Sequence, residues 1–133
     1  MNKSGPKPTP IFATAHGNIL YGESDAAVLA SESKVFEQAG YAVSRAQGRA
    51  AIEQALKTGH YDLVVLGHTL SKDDRHHLPY MAKKSGRDTQ VLVLHASGKH
   101  PAVDIAIDSR EGHHVVLKAA ASLMQRKALA VAV

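Results

Sequence analysis

Short apolar runs alternate with longer amphipathic ones along most of this chain. Residues 18–22 (NILYG) read as a first strand and 41–44 (YAVS) as a short second one. The runs 61–67 (YDLVVLG) and 89–95 (TQVLVLH) are almost continuously apolar, as strands covered on both faces are. Residues 104–107 (DIAI) make a fifth, shorter run. Between the strands the apolar spacing changes to that of helices. In 25–39, Val28, Leu29, Val35, Phe36 and Ala39 fall on one side. Ser24 or Asp25 is placed to cap that helix, and Gly40 to end it. In 49–58, Ile52, Ala55 and Leu56 form the stripe and Gly59 is the stop. Ser71 with Asp74 three residues on opens a third helix, to about Lys84, which Pro79 should kink or shorten. Val115, Val116, Ala119, Ala120 and Leu123 trace a last helix over about 112–127. Residues 96–103, with Gly98 and Pro101, read as a loop.

Strands alternating with helices imply βαβ units and right-handed crossovers. The expected fold is α/β: a doubly wound, five-stranded parallel sheet of order 2-1-3-4-5. Ligand chemistry in such sheets sits at the carboxyl ends of the strands. That edge brings forward Glu23 and Ser24, Gly67 and His68, His95 to Ser97, and Asp108 to Arg110. The domain should span 18–127. Residues 1–17, with Pro6, Pro8 and Pro10, read as an extended tail, and 128–133 as a C-terminal tail.

Composition narrows the chemistry. Of 133 residues, 44% are hydrophobic, enough for one core without tryptophan. There is no cysteine. Disulfides, thiolate metal sites and cysteine nucleophiles are therefore excluded. No apolar run reaches membrane-spanning length, and no apolar segment follows Lys3 and Lys7 as in a signal peptide. The expected address is the cytoplasm, with no membrane partner. Net charge is +4, but the basic residues are scattered. No stripe or motif points to nucleic acid.

Several segments resemble the receiver domain of response regulators. Residues 19–25 (ILYGESD) look like its first strand and the acidic residues after it. Residues 37–43 (EQAGYAV) look like its turn into the second strand, and Gly48 with Ala51 and Ile52 like its second-helix start. Residues 61–66 (YDLVVL) are similar to the strand leading to its phosphoacceptor aspartate. The likeness spans about 19–123 and implies a flavodoxin-like receiver fold acting in phosphorelay signalling. It also implies a degenerate site. The acidic pair that binds Mg²⁺ corresponds to Glu23 and Ser24, so one carboxylate remains. The phosphoacceptor falls on Gly67, the hydroxyl residue after the fourth strand on His95, and the lysine near Asp108 or Ser109. Aspartyl phosphorylation needs a carboxylate nucleophile, a divalent cation and a cationic side chain. Gly67 removes the first. The 96–103 segment is also too short for the family's fourth helix, which should be short or absent.

The reading that follows is a stand-alone pseudo-receiver: no catalysis, no cofactor, and a signalling protein as partner. With that helix reduced, Val115, Val116, Ala119 and Leu123 are the expected interface, to a partner or in a homodimer. The alternative is a metal- or small-ligand sensor on the histidine-rich edge, with His68 and His95 as ligands, since neutral imidazole binds zinc. Against it, none of the nine histidines stands in a metal-ligand motif. Neither a nucleophile elbow nor a phosphate loop is present, and Glu23 opposes a phosphate after the first strand by charge.

Overall fold

Strands β1 (Asn18–Glu23), β2 (Ala42–Gln47), β3 (Leu63–Leu66), β4 (Gln90–Leu94) and β5 (Ile105–Ile107) form one parallel sheet. Its order is β2-β1-β3-β4-β5, as the alternation predicts. Helices α1 (Ala26–Gln38), α2 (Gly48–Thr58), α3 (Lys72–Ser85) and α4 (His113–Ala132) follow β1, β2, β3 and β5. A computed structural model of the chain describes residues 17–86, 88–95, 100–108 and 111–132, the last of these from 127 on as backbone. The expected tail over 1–17 lies outside the described residues except for its final glycine.

Period-two alternation sorts the side chains onto the two faces of the sheet. Ile19, Tyr21, Leu63, Val65, Leu92 and Leu94 pack beneath α1 (Leu29, Phe36) and α4 (Val116, Ala120, Leu123, Met124). Leu20, Val64, Leu66, Val91 and Val93 pack against α2 (Ile52, Leu56) and α3 (Leu78, Ala82). The central strand β3 is fully buried along its length, so it reads as a continuous apolar run. β2 lies at one edge and is mostly exposed. Its last residues, Arg45 to Gln47, carry no apolar run, so the sequence pattern ends that strand too early.

Asp25 caps α1, accepting a 2.9 Å hydrogen bond from the Val28 amide. Ser71 caps α3 by accepting from the Asp74 amide at 3.1 Å, as the capping spacing requires. Pro79 does not shorten α3, which runs on to Ser85. Its ring is buried among the α3 residues that face the sheet, and that tertiary packing offsets the missing intrahelical bond. α4 continues through Ala132, so 128–132 of the segment read as a C-terminal tail are helical. Between β4 and β5 the described residues form a turn at Pro101 and Ala102, closed by Val103 N–H donating to His100 C=O. Residues 96–99 of that connection lie outside the described residues. Four helices are thus present among the described residues.

The four residues of the expected interface fall in different places. Val116 and Leu123 belong to the core between α4 and the sheet, and Ala119 is partly buried against it. Of the four residues, only Val115 is exposed. Most of the apolar stripe of α4 is thus covered by the sheet. No helix of the described residues is long and apolar enough to cross a membrane.

Candidate functional site

The carboxyl edge of the sheet is organised around one buried carboxylate. Glu23 is the last residue of β1 and is wholly inaccessible to solvent. Gly22 pairs with Leu66, and the Gly67 amide donates to Gly22 C=O at 2.8 Å. Glu23 and Gly67 therefore stand side by side at the ends of neighbouring strands. A Cβ on Gly67 would overlap Cδ and both oxygens of Glu23. The Glu23 carboxylate fills the space that a side chain at position 67 would need.

Three protein donors hold it there. Thr69 donates to Oε1 twice, from its amide at 2.9 Å and from its hydroxyl at 2.6 Å. The Tyr21 hydroxyl lies 3.0 Å from Oε2. Tyr21 is two residues before Glu23 and so shares its face of the strand. The direction of the Thr69 hydrogen bond is fixed by counting protons. Its oxygen already accepts from the amides of Ser24 at 2.9 Å and Asp25 at 3.1 Å. The single hydroxyl proton is then left for Glu23. Thr69 thus ties the β1–α1 turn to the β3–α3 turn through a carboxylate that reaches between them.

The same turn is held from α3. Arg75 Nη1 donates to His68 C=O at 3.1 Å and also to Leu70 C=O. Leu70 itself is buried in the α2–α3 half of the core. Buried groups of this kind are costly to leave without partners, so the constellation is cooperative.

Burial, and then the Glu23 carboxylate, push the Tyr21 hydroxyl far above its ordinary ionisation range. Burial raises Tyr41 as well. A raised folded-state value means the stabilisation is complete below the unfolded-chain value of about 10 and is lost as pH climbs above it. Stability to urea is therefore expected to fall between pH 9 and pH 11, with Tyr21 alone contributing about 1.4 kcal/mol by pH 11. Equal unfolding midpoints at the two pH values would contradict this placement of Tyr21.

Other sequence-predicted residues fall in different places. Ser24 and His68 are exposed at the edge. His95 follows β4, is exposed and adopts a left-handed backbone with φ 62°. Its amide donates to Ile107 C=O at 2.6 Å. Ser109 lies outside the described residues, and Asp108 is exposed. His100 is turned away from that edge, with its ring 5.0 Å from His76 and 4.6 Å from Tyr80. His113 contacts Glu32 at 2.9 Å. Among the described residues, no group of three or more His, Asp or Glu side chains is placed to hold a metal ion.

No family model matches this chain, and no curated protein matches it. Solved structures do match. One is a CheY-like response regulator receiver domain protein from Methanospirillum hungatei JF-1, at TM-score 0.73 and 16% identity, covering 84% of this chain and 95% of that one. This chain has the receiver fold. The beryllofluoride-activated NtrC4 receiver domain dimer matches at TM-score 0.68 and 16% identity, over 82% of this chain and 97% of that one. A response regulator protein from Burkholderia pseudomallei, carrying a phosphorylated aspartic acid and a calcium ion, matches at TM-score 0.65 and 16% identity. That match covers 85% of this chain and 74% of that one.

By the resemblance, Glu23 is the one carboxylate that remains of an acidic pair. The structure turns it inward, onto Thr69 and Tyr21. A hard cation needs several oxygens, commonly with water among them. A carboxylate with no solvent-facing surface, its oxygens already held by Thr69 and Tyr21, does not fit that requirement. Sequence reading also missed Thr69. No spacing rule marks a threonine two residues past a glycine, and only the fold brings it to Glu23.

Proposed function

We propose that this chain is a pseudo-receiver, a module of two-component, phosphorelay-type signalling that acts without being phosphorylated. It works in the cytoplasm by binding a signalling protein, and it performs no catalysis and needs no cofactor. The observation that carries this reading is the exchange at the strand ends. Gly67 offers no oxygen to phosphorylate, and the space beside it is filled by Glu23. An acyl phosphate forms when a carboxylate oxygen attacks phosphorus, and the carboxylate beside Gly67, that of Glu23, is buried and held by three hydrogen bonds. The signalling role rests on the likeness to receiver domains, including one that is a dimer.

Incubation with acetyl phosphate and Mg²⁺, followed by intact mass measurement, is expected to give no adduct. Beryllium fluoride should likewise leave the amide spectrum around Glu23, His68 and His95 unchanged. A stoichiometric phosphoryl adduct on the wild-type protein would overturn the reading.

A further inference from the structure

We propose that Glu23 is an internal ligand: its carboxylate permanently occupies an oxyanion receptor made by Tyr21 and Thr69 and thereby holds the β3–α3 turn in a single arrangement. This deepens the pseudo-receiver reading, and rests on it, by naming what regulates the same site.

The receptor is defined by its donors. The Thr69 amide and hydroxyl converge on one oxygen, and the Tyr21 hydroxyl meets the other. All three come from neutral groups, and the carboxylate they serve is shielded from water. Such an arrangement suits a small planar oxyanion of one charge. Glu23 supplies it from the adjacent strand, at an effective concentration no free anion can match, because the carboxylate is already tethered in place.

The consequence for the turn follows from Thr69. Its hydroxyl is the junction between Glu23 and the amides of Ser24 and Asp25. Its amide is the other anchor of the same carboxylate. A ligand shifts a conformational equilibrium only by its differential affinity for the two states. A ligand that is always bound leaves no such equilibrium to shift. The surface formed by the β3–α3 turn, including exposed His68, is then constitutive.

The geometry also suggests the probe. Truncating Glu23 to alanine removes Cγ and the carboxylate, which together have the heavy atoms of acetate. Amide spectra and hydrogen exchange of the wild type, Glu23→Ala and Glu23→Gln read the idea directly. In Glu23→Ala, the Ser24, Asp25 and Thr69 amides should shift or broaden, and the Thr69 amide should exchange about tenfold faster, the effect of losing one ordinary hydrogen bond. Acetate should return the Thr69 amide toward its wild-type position saturably, and should leave the wild-type spectrum unchanged. Glu23→Gln preserves volume and carries the test if the alanine variant does not fold. Its weaker acceptor should move the same three amides and speed Thr69 exchange to a lesser degree. Unchanged amides in the variants, or no saturable response of Glu23→Ala to acetate, would overturn the internal-ligand proposal. The phosphoryl-adduct measurement is separate, so failure of the internal-ligand proposal and failure of the pseudo-receiver reading are told apart.

Discussion

Replacing Gly67 with alanine is expected to destabilise the protein by about 3 kcal/mol, a large effect for one methyl group. The cost does not come from the backbone. Among the described glycines, Gly40 and Gly48 have positive φ and Gly67 does not, so alanine can adopt its conformation. The cost comes from space, because the new Cβ would overlap the Glu23 carboxylate. Displacing that carboxylate strands the Thr69 donors and the Tyr21 hydroxyl, and burial prevents water from replacing them cheaply. A double-mutant cycle isolates the cause. In a Glu23→Ala background the space is empty, and Gly67→Ala should then cost little or even stabilise through the unfolded chain. Urea unfolding of the four proteins should give a coupling of about 3 kcal/mol. Additive effects, within about 0.5 kcal/mol, would show that the two residues do not compete for one site. For the same reason of overlap, placing an aspartate at position 67 alone is not expected to make the chain phosphorylatable. It would set a second carboxylate against the first without supplying either cation.

The second large effect is expected at the opposite edge of the sheet. β5 is three residues long and, among the described residues, pairs only with β4. Asp104, just before it, holds it in place. Its Oδ2 accepts from Lys83 Nζ at 2.7 Å and from the Val91 amide at 2.8 Å. Lys83 also donates to Thr89 C=O at 2.6 Å, joining α3 to the start of β4. Both side chains are about three-quarters covered, so screening by solvent is only partial. Asp104→Ala leaves an ammonium and an amide without their shared acceptor and should cost about 2 kcal/mol. Asp104→Asn keeps an oxygen at that place and should cost less. Hydrogen exchange should accelerate at Ile105, Ala106 and Ile107 before the rest of the sheet, because a short edge strand is a natural unit of local opening. Unchanged urea stability in Asp104→Ala would reduce this clasp to a surface ion pair.

The two predictions also mark how differently the parts of this protein can be read. β3 and β4 were visible because a doubly covered strand must be apolar throughout. α1 and α3 announced their starts through Asp25 and Ser71, since a cap is a local contact over three residues. β2 was cut short and α4 was ended early, because an exposed edge and a helix end leave little apolar pattern to follow. Val116 and Leu123 read as an apolar stripe, and in the structure the sheet covers them. A stripe says that a face is buried, and only the packed sheet says against what.

The sequence by itself determined the order of elements, the parallel sheet and the absence of a side chain at Gly67, because these depend on periodicity, chirality and the identity of one residue. It could not place the carboxylate of Glu23. A glutamate at a strand end can face solvent or turn inward, and the choice depends on donors far away in the chain. Thr69 is separated from Glu23 by a whole βαβ unit, and the missing side chain of Gly67 matters only because β1 and β3 are neighbours. The tertiary structure decided that point: once the strands pair, an unfilled space and converging hydrogen-bond donors stand beside Glu23, and its carboxylate lies within them.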